Sequence, residues 1–95
     1  MATTPAIEQV QKRDGRLEPF MPWKIAQAIE KALHATQQVE DGGRARALAA
    51  QVAVKVKQRF AGRVPHAEDI QDIVKETLIE HGLARTAAAY ILYRQ

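Results

Sequence analysis

The chain has 95 residues, enough for one domain that buries roughly 60–65% of its unfolded surface. Hydrophobic residues make up 46% and charged residues 26%, ordinary for a globular protein, and no apolar run approaches the ~20 residues that a membrane span needs. The absence of cysteine excludes disulfides, thiolate zinc sites and a thiol nucleophile, while a net charge of +3 suits an anionic partner without choosing one.

Residues 1–6, "MATTPA", carry no pattern and are expected to be disordered, leaving a single folded domain over residues 7–95. No signal peptide is visible in the first residues, so a cytoplasmic protein is expected. Residues 7–19 read as a β-hairpin. Asp14-Gly15 is a two-residue turn signal of the type I′ kind, in which both central residues take positive φ. That turn sets Arg13 opposite Arg16, Lys12 opposite Leu17, Gln11 opposite Glu18 and Val10 opposite Pro19. Val10, Lys12, Leu17 and Pro19 then share one side, with Gln11, Arg13, Arg16 and Glu18 on the other.

Pro22 suits the first position of a helix, where its missing N–H costs nothing. From there to about Thr36, Ile25, Ala28, Ile29, Ala32 and Leu33 form an apolar stripe at helical spacing, with Trp23 expected as a lid over the core edge. "EDGG" at residues 40–43 breaks the chain. A second helix from about Arg44 to Phe60 turns Leu48, Ala49, Val52, Val56 and Phe60 inward. After "AGRVP", a third helix starts near His66 with Glu68 and Asp69 in its first turn, where the helix dipole favours anions. It carries Ile70, Ile73, Val74 and Leu78 inward and ends at Gly82, a C-terminal cap. The last segment, "ARTAAAYILYRQ", reads as a fourth helix with Tyr90 and Tyr93 as packing residues. It still reads as helical at Gln95, which leads us to expect a piece of a longer protein. The fold class is therefore α+β, mainly helical: a small hairpin packed on a four-helix bundle.

Chemistry concentrates at one corner. Lys12 and Arg13 in the hairpin and Lys24 in the first turn of the first helix gather three cations beside unpaired helix N–H groups, a setting that suits phosphates. Glu18 lies among them, and a carboxylate accepts a hydrogen bond from the exocyclic amine of adenine but repels the carbonyl of guanine. Val10, Phe20 and Ile25 are placed to form an apolar slot for the base. Three readings stay open on these residues alone. The charges are a solvated face in which Glu18 pairs with Arg16 or Arg13, or a nucleotide site, or a nucleic-acid surface with steep salt dependence and no base preference. A plain helical interaction module is a further alternative. His34, His66 and His81 have no metal-ligand spacing, and neither G-x-G-x-x-G nor a P-loop is present, so neither a metal site nor a catalytic residue is expected.

"VQKRDGRLEPF" followed by "WKIAQAIEKA" resembles the opening of the ATP-cone domain, and "EDIQDIVKETLIEHG" and "AAAYILYR" resemble its third and fourth helices. The resemblance runs from residue 7 to 94 with the motifs in order. It implies a regulatory domain that binds ATP or dATP, with magnesium, and that most often sits ahead of the catalytic domain of ribonucleotide reductase. There it controls overall activity through a conformational change or a homo-oligomer; neither a membrane nor a nucleic acid is an implied partner. Carried over by motif, Lys12 and Arg13 match the basic pair that meets the phosphates, Glu18 the acid near the adenine, and Lys24 the lysine at the helix start. Val10 and Ile25 match the apolar base contacts. Met21, Ala67 and Gln71 depart from the pattern: family members often have Asp or Asn, a hydroxyl residue and, in some, histidine there. The same domain occurs in a repressor of reductase genes, behind a four-cysteine zinc ribbon; a chain without cysteine favours the reductase setting. The outer faces of the later helices are the expected oligomer interface.

Overall fold

The computed structural model describes residues 9–37 and 43–94. The segment expected to be disordered, most of the break at residues 40–43 and the side chain of Tyr93 lie outside them. Two strands, β1 (Gln9–Gln11) and β2 (Leu17–Pro19), precede four helices: α1 (Pro22–Ala35), α2 (Arg44–Arg59), α3 (Ala67–Glu80) and α4 (Ala84–Arg94). Each helix packs on its neighbours in sequence, and α4 closes the ring on α1. The expected α+β hairpin-and-bundle architecture is the one observed.

The hairpin register differs from expectation by one residue: Gln9 pairs with Pro19, Val10 with Glu18 and Gln11 with Leu17. A two-residue type I′ turn would force Asp14 into positive φ, and only Gly15 adopts it, at +88°. The chain instead makes a three-residue loop. Gly15 N–H donates to the Lys12 carbonyl at 2.9 Å, and Lys12 N–H to the Arg16 carbonyl at 2.8 Å. Asp14 locks it by accepting from the Arg16 backbone N–H at 3.0 Å and from Arg16 Nε at 2.6 Å. A slip of one residue exchanges the faces of a strand. Val10 and Glu18 now share a face with Lys12, whereas Leu17, expected on the inner side, is 53% exposed.

This face meets the end of the bundle where α1 and α3 begin. Val10 joins the core at 8% exposure, and Gln11 N–H donates to the Pro65 carbonyl at 2.9 Å, within a single parallel bridge between Gln11 and His66. An isolated hairpin is marginal in water, so these contacts hold it in place.

The helical stripes bury as their spacing dictates: Ile25, Ile29, Ala32 and Leu33 from α1, Leu48, Ala49, Val52 and Val56 from α2, Ile70, Ile73, Val74 and Leu78 from α3. Phe60 is only half-buried, since it caps α2 instead of lying within it. Trp23 is a clear departure, 56% exposed where a lid over the core was expected. It lies roughly 200° around the helix from Ile25, on the opposite face. At the far end of α1, Thr36 Oγ1 meets Thr86 Oγ1 at 3.0 Å and Arg85 Nη2 donates to the Thr36 carbonyl, tying α1 to the start of α4. Gly82 (φ +75°) ends α3: its N–H reaches the Ile79 carbonyl at 3.0 Å and the Leu83 N–H reaches Leu78 at 2.9 Å, a Schellman motif. Across the α2–α3 seam, Arg59 Nη2 donates to Glu76 at 3.0 Å, Lys55 pairs with Glu80, and His81 Nε2 meets Gln51 Oε1 at 2.9 Å.

Two outcomes are expected. Nothing lies within 4 Å of an added Cβ at Gly82, so Gly82→Ala costs only its backbone strain, about 1 kcal/mol in urea denaturation. The Glu76 carboxyl titrates below its ordinary value, chiefly through its hydrogen bond with Arg59. A lowered folded-state value adds stability above the unfolded carboxylate range and loses it as pH falls through the folded value. The stability gap between the wild type and Glu76→Gln, open at pH 7, should therefore close below about pH 4, as denaturant titrations at stepped pH would show.

Candidate binding site at the hairpin and first helix

Met21 starts α1 without a side-chain cap, so the opening turn keeps its partial positive charge unneutralised by a capping side chain. One turn along, Lys24, Ile25 and Ala28 present a mixed face to the inner side of the hairpin. Between them lies a cavity of about 240 Å³, lined by Val10, Lys12, Glu18, Pro19 and Phe20 from the hairpin side and by Ala67, Ile70 and Gln71 from α3. Tyr90 of α4, itself 2% exposed, also lines it. The volume falls just short of the ~300–1,000 Å³ of most small-molecule sites.

Six of the seven residues singled out in the sequence line this cavity: Val10, Lys12, Glu18, Phe20, Lys24 and Ile25. Arg13 does not. It points over the hairpin tip to Glu68 in the first turn of α3, with Nε 2.9 Å from the carboxylate. There it borders a second hollow of about 300 Å³ with Lys12, Asp14, Arg16, Ala67, Glu68 and Gln71. Lys12, Ala67 and Gln71 belong to both hollows, which therefore adjoin.

Electrostatically the two hollows are close to balance. Lys12, Arg13, Arg16 and Lys24 bring four cations, and Asp14, Glu18 and Glu68 three carboxylates. Glu18 stands 3.8 Å from Lys12 Nζ and 3.8 Å from Arg16 Nη1, so it pairs with Arg16 but not with Arg13. Both pairs are long and partly exposed, hence weak. Asp14 is held below its ordinary carboxyl range by its backbone and side-chain hydrogen bonds from Arg16. Lys24 Nζ lies 5.8 Å from the centre of the Trp23 ring.

Sequence reasoning missed Pro19, Ala28, Ile70 and Tyr90 as lining residues, and Glu68 as the partner of Arg13. Ala28 had a signal, since it sits one turn beyond Lys24 on the same face. The α3 residues had none. They come to the hairpin where Gln11 bridges His66 and Arg13 pairs with Glu68, across more than fifty residues of chain.

The chain matches the model of the ATP cone domain over residues 8–95. It is similar to the ribonucleoside-diphosphate reductase subunit alpha of Chlamydia trachomatis, 34% identical over 94 residues that cover 90% of this chain and 9% of that protein. A vitamin B12-dependent ribonucleoside-diphosphate reductase of Thermoplasma acidophilum is 34% identical over 96 residues, 94% of this chain and 12% of that protein. A protein of the same name from Mycobacterium tuberculosis is 34% identical over 87 residues, again 12% of its length. The chain thus spans about a tenth of the length of these curated relatives. A hairpin seated on the start of a helical bundle, and a family match that extends from that hairpin to the last helix, lead to one assignment: the chain belongs to the ATP-cone domain family.

Proposed function

We propose that this domain binds an adenine nucleoside triphosphate, ATP or dATP, as a regulatory ligand, and that it serves a ribonucleotide reductase. The observation that carries the reading is the cavity between the hairpin and α1, where an apolar slot, a carboxylate and two lysines line one space. Val10, Phe20 and Ile25 offer the base an apolar surface, and Glu18 faces the same space with a hydrogen-bond acceptor for an exocyclic amine. Lys12 and Lys24 supply compact positive charge for phosphates, and Arg13 adds a planar fork at the adjoining hollow. Membership of the ATP-cone family and similarity to reductase subunits support the same reading.

Magnesium fits this site as a companion of the phosphates and not as an ion held by protein carboxylates. Glu18, Asp14 and Glu68 each have a cationic partner already, and Mg²⁺ commonly keeps several waters while binding through phosphate oxygens. The activity controlled is that of a reductase subunit carrying the domain. ATP and dATP differ by one hydroxyl, so control requires the two ligands to favour different arrangements, and a coupling of about 1–3 kcal/mol suffices. Among the described residues no helix is long and apolar enough to cross a membrane.

Calorimetry of the chain with ATP, dATP and GTP tests the reading. Both adenine nucleotides should bind, and GTP much more weakly. Lys12→Ala and Lys24→Ala should each weaken ATP about tenfold or more, as expected for a lost charge-assisted hydrogen bond. Glu18→Gln should narrow the ATP–GTP gap, because a carboxamide can also donate to the guanine carbonyl. Equal heats for ATP and GTP in the wild type would remove the role given to Glu18. For a reductase subunit carrying the domain, size-exclusion profiles with ATP and with dATP should differ; superimposable profiles would speak against control through assembly.

A further inference from the structure

We propose that Glu68 is a built-in competitor for the nucleotide's phosphates, and that binding exchanges its carboxylate on Arg13 for a phosphate. The inference rests on the nucleotide reading above and adds a determinant of affinity from outside the main cavity.

The geometry is specific. Glu68 stands in the first turn of α3, and Arg13 reaches across the hairpin tip to place Nε 2.9 Å from its carboxylate. The pair borders the hollow that adjoins the main cavity through Lys12, Ala67 and Gln71. A chain of phosphates leaving the base slot past Lys12 enters the space where Glu68 holds the guanidinium. Carboxylate and phosphate present the same bidentate acceptor edge to arginine, so one can replace the other without moving the backbone. The pair is also weak enough to exchange. Its side chains are 74% and 59% exposed, and exposed ion pairs typically contribute 0–1 kcal/mol. Arg13 is thus available to the ligand at a modest penalty in affinity, one that depends on the number of phosphates and not on the base. Asp69, the next residue, is occupied differently: its carboxylate accepts the His66 backbone N–H at 3.0 Å and caps the helix. Of these two neighbouring carboxylates, Glu68 is the one placed to compete for Arg13.

Calorimetry of the full chain with ATP, ADP and adenosine, on the wild type, Glu68→Gln, Arg13→Ala and the double variant, tests the exchange. Glu68→Gln should tighten ATP about three- to fivefold, tighten ADP less and leave adenosine unchanged. In the Arg13→Ala background the gain should nearly vanish, because the competitor acts through that guanidinium. A gain of the same size with Arg13 absent would reduce Glu68 to plain charge repulsion and overturn the exchange. Unchanged or weaker ATP binding in Glu68→Gln would overturn it as well, while wild-type binding of ATP would leave the nucleotide reading standing. No ATP binding by the wild type would instead sink that reading and the exchange with it. If Glu68→Gln does not fold, Glu68→Ser, which keeps an oxygen in the first turn, gives the same comparison.

Discussion

The site depends on the loop at the tip of the hairpin. Asp14 accepts the Arg16 backbone N–H, Gly15 takes the left-handed conformation, and together they fix a three-residue connection. That connection decides which strand face looks inward. With it, Val10, Lys12 and Glu18 point to the bundle; shifted by one residue, Glu18 would leave and Leu17 would take its place. An apolar pair would bury more surface there. The register observed instead sets a carboxylate and a lysine over a cavity, where close packing would have called for apolar side chains.

The bundle behind the hairpin supplies a rigid wall. Ile29, Val52, Val56, Val74 and Leu78 are fully buried, and the two buried threonines are satisfied within the fold, Thr77 by the Ile73 carbonyl at 2.8 Å and Thr86 by Thr36. The ion pairs, in contrast, collect outside this core, along the α2–α3 seam and round the hairpin. The seam pairs link α2 to α3 across their contact. Those at the hairpin stand beside open space and are weak, which leaves their cations able to change partner.

Most of the bundle was legible from residue spacing. Ile25, Ile29 and Leu33 recur at helical intervals, Pro22 marks a start, and Gly82 marks an end with the positive φ that glycine allows. The hairpin was legible as an element but not in its register, because Asp-Gly serves both two- and three-residue loops and the choice turned on Arg16 completing the Asp14 bonds. The corner was legible as a cluster, since Lys12, Glu18, Phe20 and Lys24 lie within fifteen residues of one another. What α3 and α4 contribute was not. Ile70 and Tyr90 read as helix positions like any others until the chain brings them to the cavity, and Gln71 stood out only through the family resemblance. The partner of Arg13 is 55 residues away, and no local pattern encodes such a pair.

The bond from the Gln11 backbone N–H to the Pro65 carbonyl carries a consequence for how such a domain can evolve. Neither atom belongs to a side chain, so almost any residue except proline can occupy position 11 and leave the attachment intact. Point changes can therefore accumulate around the pocket without detaching the ribbon that forms its roof. The attachment of the ribbon and the side chains that line the cavity are thus set by different atoms, and one can change while the other is kept.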